Sequence, residues 1–211
     1  MARVVRENLR ERILEAAEKR LWHFGLKKTT IDEIASDAGV GKGTVYLYFE
    51  SKEEIAIALM GKYKAETVEE QDAIAQDLTL SPLARLRCVL KLPIARAHKK
   101  CADCPQALEV VVAIKPHLAN RLQPHIKMET EIIAKLLDEG NAAGDFYVED
   151  SISAAGTLKQ MTLGFLPPYP CLPDLDQIEI AIDRIVNLAY TGFVAPGNRN
   201  TNELSDLRMA R

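Results

Sequence analysis

Between Thr30 and Phe49 two short apolar repeats meet at a glycine, and this junction restricts the fold more than any other stretch of the chain. Thr30-x-x-Glu33 has the spacing of a capping box, in which a threonine hydroxyl and a glutamate side chain each satisfy an amide at a helix start. Ile34 and Ala38 follow at helical spacing, Gly39 stands where the chain turns and φ can be positive, and another helix is expected from about Lys42 to Phe49. Ile34, Ala38, Val40, Val45 and Tyr48 fall where two steeply crossed helices pack, and Ala35 is small at their closest approach. On the helix from Lys42, Val45 and Phe49 face inward and Thr44 lies at the margin, which leaves Gly43, Tyr46 and Leu47 outward.

That outward set has the chemistry of a helix that reads a DNA major groove. Thr44 can hydrogen-bond a base edge or a phosphate, Tyr46 can donate to a phosphate, and Leu47 can meet a thymine methyl. Gly43 permits close backbone approach. Lys42 and Lys52 stand at helix N-termini, where free amides already favour phosphate. Tyr48 is on the inward side, so its ring packs and only its hydroxyl reaches outward. Gly39-Val-Gly-Lys-Gly-Thr44 matches neither common nucleotide-binding glycine pattern, and it follows a helix rather than a strand.

The rest of the chain reads as helices, with no alternating run bounded by hairpin turns. From Arg6 to Phe24, Ile13, Ala17, Leu21 and Phe24 form one apolar stripe, and Gly25 ends it. Ser51-x-x-Glu54 opens a long helix to about Ala75. Ser81-Pro82 opens the next, which Pro93 should kink or divide because proline lacks an amide donor. The pattern resumes after Cys104-Pro105, breaks at Lys115-Pro116, and runs again from Asn120 to Ala143, with Gly140 and Gly144 at its end. Asp150 or Ser151 caps a helix reaching Leu166, and a last helix spans Leu175 to Val194. The expected fold is all-α. A three-helix helix-turn-helix DNA-binding domain occupies residues 1–52, a helical ligand-binding and dimerisation bundle 53–195, and a loose polar tail 196–211.

Composition agrees with a globular protein: 47% of residues are hydrophobic and 27% charged. No apolar run approaches the roughly 18 residues a spanning helix needs. The N-terminal Met-Ala-Arg-Val-Val-Arg-Glu-Asn has no apolar signal core behind it, so a cytoplasmic protein without membrane partners is expected. Four cysteines are too few for a disulfide scaffold, which suits a reducing compartment. The formal charge of -3 conceals a basic head: residues 1–52 carry ten Lys or Arg against eight acids. Such a head on an acidic body suits a protein in which only the head meets a polyanion.

Thr29-Thr30-Ile31-x-x-Ile34-Ala35-x-x-Ala38-Gly39-Val40-x-Lys42-Gly43-Thr44-x-Tyr46-x-Tyr48-Phe49-x-x-Lys52 resembles the TetR family of bacterial transcriptional regulators. The resemblance implies a homodimer built through the last two long helices, and repression of a double-stranded DNA operator relieved by a small-molecule effector. It places DNA contacts at Thr29, Thr30, Lys42, Gly43, Thr44, Tyr46, Tyr48 and Lys52, to which the outward face adds Leu47. Gly140-Asn-Ala-Ala-Gly-Asp-Phe146 is the most familiar phrase of the body. The expected dimer face combines the small residues Ser153, Ala154, Ala155, Gly156 and Thr157 with the apolar series Ile178, Ile182, Ile185, Ala189 and Phe193.

His98-x-x-Cys101-x-x-Cys104 is the other cluster with ligand chemistry, and it supports an alternative reading as a metal- or redox-sensing regulator. A closed zinc site wants four ligands, so Cys88, Cys171, His117 or a partner subunit would have to complete it. The segment is expected in a connection between helices, where cysteine serves as a small hydrophobe. His117 and His125 have no serine or carboxylate partners at catalytic spacing, so neither an enzyme nor a cofactor is expected, and no metal is assigned. Apolar residues including Met60, Leu90, Met128, Met161 and Phe165 are spread over the helices that would surround an apolar effector cavity.

Overall fold

A computed structural model describes the backbone of residues 2–166 and 175–193 and the side chains of 8–166 and 175–191. These residues form α1 (Ala2–Lys28), α2 (Ile31–Asp37), α3 (Lys42–Tyr46), α4 (Lys52–Ala75), α5 (Pro82–Asp103), α6 (Ala107–Ala143), α7 (Ser151–Thr162) and α8 (Leu175–Phe193), with no strand among them. They pack as two compact units. Among the described residues the first takes 2–70, 93–128 and 165–166, and the second takes 71–92, 129–164 and 175–193. No helix among them is long and apolar enough to cross a membrane. The expected tail 196–211 and the Pro167-Pro168-Tyr169-Pro170 segment lie outside the described residues.

The core of the first unit joins Ile13, Ala17 and Leu21 of α1 to Ile34 of α2, Val45 of α3, Ile55 of α4 and Ile114 of α6, all fully buried. Burying one such aliphatic side chain contributes about 1.5–3 kcal/mol, so this cluster holds the short helices α2 and α3 against α1. Phe24 departs from the expected stripe: it is 48% exposed, while Trp22 and Leu26 take the buried positions. Immediately after Phe24, Gly25 breaks the helical geometry with a φ of 83° and ψ of 168° and redirects the last turn of α1. Two backbone groups flanking the kink are satisfied from the start of α6: the Gln106 amide donates to the Trp22 carbonyl at 3.3 Å, and the Glu109 carboxylate accepts from the Leu26 amide at 2.8 Å.

The expected break at Lys115-Pro116 does not occur, and of the two outcomes expected at Pro93, a kink or a division, division does not occur: α5 continues through Pro93, and α6 runs unbroken through both Pro116 and Pro124. A proline in a helix orphans the carbonyl four residues earlier, and the helix continues where that carbonyl finds another donor. The carbonyl orphaned by Pro93 belongs to Val89, and the side-chain amide of buried Gln71 donates to it at 2.9 Å. Those orphaned by Pro116 and Pro124 belong to Val112 and Asn120, exposed residues where water can serve.

In the second unit, Ile133, Leu136 and Leu137 of α6 are buried with Leu158 of α7 and Ile178 of α8. Gly140 and Phe146 explain the end of α6. A Cβ at Gly140 would lie 2.0 Å from Cδ2 of Phe146, so the ring occupies the space glycine leaves. Gly144 takes the positive φ of 78° that turns the chain back, and the Asn141 side chain both donates to the Val148 carbonyl at 2.8 Å and accepts from its amide at 2.9 Å. Asp150 caps α7 by accepting from the Ser153 amide at 3.0 Å. That helix stops at Thr162 and a 3₁₀ turn follows to Phe165, short of the expected Leu166. Along α8 the buried face runs through Ile178, Ile182, Val186 and Tyr190, whereas Ile185 and Ala189 are half-buried. The expected outward series therefore mixes two faces. Ala155 is also fully buried in its own unit, and the side chain of Phe193 lies outside the described residues.

Candidate nucleic-acid interface

The capping box at the start of α2 is complete. The Glu33 amide donates to the Thr30 hydroxyl at 3.3 Å, while the Thr30 amide and hydroxyl each donate to the Glu33 carboxylate at 2.9 Å. Those donors, with Arg20 beside them, hold the Glu33 carboxyl below its ordinary range. Arg20 also ties α1 to the far end of α2 through two bonds to Asp37, at 2.5 and 3.1 Å. Arg12 donates to the Ala38 carbonyl at 2.6 Å, filling an acceptor that the helix end leaves open. Gly39 turns the chain at a φ of 63°, and a Cβ there would stand 3.0 Å from the same Arg12 guanidinium. The two bonds Gly39 amide to Ser36 carbonyl and Val40 amide to Ala35 carbonyl close the turn, and α3 begins two residues later. Neither arginine contact was legible locally, since each joins residues 17 or more positions apart.

α3 presents the predicted residues unequally. Leu47 is 83% exposed and Tyr46 is 49% exposed, while Val45 is fully buried and anchors the helix. Gly43 is exposed, and a Cβ there would meet nothing within 4 Å. Thr44 and Tyr48 are half-buried, Tyr48 with its ring against the core. Lys42 is exposed and pairs with Asp32 at 2.7 Å, which raises its pKa. Thr30 is exposed, with its hydroxyl engaged in the capping box. Thr29 is 1% exposed, and its hydroxyl donates to the Gly25 carbonyl at 2.8 Å, so its side chain is engaged inside the fold. Its own carbonyl accepts from the Lys52 ammonium at 3.2 Å, which positions Lys52 at the start of α4 with further donors to give.

The cysteine cluster lies largely on a helix rather than in the expected connection. His98 and Cys101 lie on α5 and Cys104 one residue past its end. His98 Nε2 stands 3.1 Å from the Phe165 carbonyl, and both cysteines pack against the core of the first unit. Burial pushes the Cys101 thiol up, with Cys104 adding to the effect. Among the described residues no three His, Cys, Asp or Glu side chains group to hold a metal ion. Cys171 lies outside them.

Two family models match the chain. Residues 13–59 match the model of bacterial regulatory proteins of the tetR family, and residues 82–186 match a tetracyclin repressor-like C-terminal domain. An uncharacterised helix-turn-helix transcriptional regulator of Bacillus subtilis, YhgD, is 56% identical over 43 residues, a match spanning 20% of this chain and 22% of that protein. A second such regulator, encoded in the lacX 3′ region of Lactococcus lactis, is 25% identical over 196 residues, 91% of this chain and 96% of its own. In fold, a tetR-family regulator of Mesorhizobium loti superimposes with a TM-score of 0.70 at 18% identity, covering 90% of this chain and 98% of that one. The buried anchor and outward tip of α3, and the two matches that follow one another along the sequence, lead to one assignment: the chain belongs to the tetR family of transcriptional regulators.

Proposed function

We propose that this regulator is a cytoplasmic repressor that binds a palindromic operator as a homodimer and is released by a small, largely apolar effector. The exposed tip of α3 carries the reading. Tyr46 at the end of α3 and Leu47 one residue past it are large side chains held outward, near a glycine whose missing side chain would meet nothing within 4 Å. Against DNA each acquires a role: Leu47 at a thymine methyl, Tyr46 and Lys42 at phosphates, Gly43 where the backbone approaches closely, and Thr44 at a base edge. Thr30, Tyr48 and Lys52 complete the contact set, with Lys52 on a phosphate.

The homodimer is assigned to α7 and α8. Ser153, Thr157, Met161 and Leu188 border a cleft of about 550 Å³ on the outside of these two helices, and Ile152 and Leu188 are 56% and 69% exposed. An apolar surface of this kind suits a second copy of the same face. The dimer would carry its two α3 helices into successive major grooves about 34–36 Å apart, and an effector that disturbs this spacing would weaken DNA binding. The cysteine-sensing alternative has less support, because burial raises the pKa of the Cys101 thiol and so disfavours the thiolate that metal binding or oxidation requires.

Fluorescence anisotropy with DNA tiled across the regulator's own upstream region, at near-physiological salt with random DNA as competitor, tests the proposal. Saturable binding to one palindromic tile is expected, and indifference among all tiles would refute autoregulation at such an operator. Sedimentation at micromolar concentration should give a dimer; a monomer would remove the palindrome with it.

A further inference from the structure

A second cleft, also of about 550 Å³, opens in the first unit between α1, the segment joining α3 to α4, α4 and α6. Leu14, Phe49 and Ile57 give it an apolar floor, and its rim is charged. Two rim cations are neutralised: Lys62 pairs with Glu11, and Arg121 with Glu54 at 2.9 Å. The third, Arg10, lies over the Phe49 ring at 5.2 Å and has no carboxylate partner among the described residues, which carry one positive charge in excess at the rim.

Gly61 adds an independent observation. It lies inside α4, where glycine is disfavoured relative to alanine, and it lines the cleft. A Cβ built there meets nothing within 4 Å, so no neighbour in the chain needs the room. The volume falls within the range of about 300–1,000 Å³ common to small-molecule sites.

We propose that this cleft is an effector site for a small amphipathic anion. Its apolar body lies against Phe49 and Ile57 in the space beside Gly61, and its anionic group meets Arg10. The wall residues Tyr48 and Phe49 directly follow Tyr46 and Leu47, so an occupant bears on the segment that ends the outward tip. The consequence for DNA rests on the regulator reading above: an anion that lowers operator affinity must bind the operator complex more weakly by the same factor.

The test uses the full chain with methyl-labelled Ile and Ala, titrated with 8-anilinonaphthalene-1-sulfonate in the absence of DNA. Saturable shifts of the Ile57 and Ala58 methyl signals are expected. Gly61→Leu should abolish them, and Arg10→Gln should weaken the affinity about tenfold through loss of a charge-assisted contact. Absence of these shifts in the wild type overturns the site. So does unchanged affinity in Arg10→Gln, an exposed position that keeps the fold even if Gly61→Leu does not. Operator titration with and without the probe separates the two proposals. Methyl shifts in a protein that binds no operator would keep the site and remove the regulator reading, whereas operator binding indifferent to a bound probe would overturn the effector role.

Discussion

The side-chain amide of Gln71 donates to the Val89 carbonyl at 2.9 Å, the acceptor that Pro93, four residues on, has no amide to fill. Gln71→Leu keeps the volume and removes the donor, leaving a buried carbonyl unsatisfied, and should cost about 1–3 kcal/mol in urea unfolding. Pro93→Ala restores an amide facing Val89. In that background the Gln71→Leu loss should shrink; an equal loss in both backgrounds would mean that Gln71 acts through packing alone.

Gly140→Ala should destabilise by about 1–3 kcal/mol, because its Cβ would overlap the Phe146 ring. Adding it to Phe146→Ala should bring little further loss, since the obstructing ring has gone. Additive losses in thermal unfolding would place the cost of Gly140→Ala elsewhere.

On DNA, Lys52→Ala should weaken binding to all sequences alike and flatten its salt dependence by about one phosphate contact. Leu47→Ala should instead lose about 1–3 kcal/mol on the operator and little on random DNA. Both are read in one anisotropy series over a salt gradient. A uniform loss for Leu47→Ala would reduce its part to non-specific contact.

Acid should loosen the start of α2. The Glu33 carboxyl is held below its ordinary 4.5 by the Thr30 amide and hydroxyl, so its contribution is present above that value and fades as the pH falls toward its lowered pKa in the fold. Glu33→Gln should remove that part of the acid transition. Amide exchange across Ile31–Asp37, followed from pH 6 downward as an order-of-magnitude window, reads it; identical profiles for both proteins would assign the transition to other carboxylates.

Iodoacetamide should label exposed Cys88 faster than Cys101, whose thiol is pushed up by burial. Peptide mapping by mass spectrometry gives both rates in one sample. Faster labelling of Cys101 would restore the thiol-sensing alternative.

The helix-turn-helix was legible because its determinants are local. Thr30 and Glu33 cap each other three residues apart, Gly39 turns the chain at the expected positive φ, and Val45 anchors the helix by its own spacing. Thr29 and Thr30 look alike in sequence, yet Thr29 turns inward with its hydroxyl on the Gly25 carbonyl and Thr30 stays at the surface. The prolines misled for a similar reason. A rule about Pro93 considers the lost amide and cannot see Gln71 arriving from another helix to replace it. Likewise Glu109 reaches Leu26 across 83 positions, a distance over which no periodicity carries information. On α8, Ile185 and Val186 are both apolar neighbours, and only packing decides that Val186 is the buried one.

Gly43 meets no neighbour and Leu47 projects almost wholly outward, so folding places almost no demand on either position. Substitutions there can accumulate without loss of the native state. On the proposed DNA-reading role, a lineage carrying this scaffold can move to new target sequences by drift at its tip, while the buried Val45 and the turn at Gly39 hold the shape behind it.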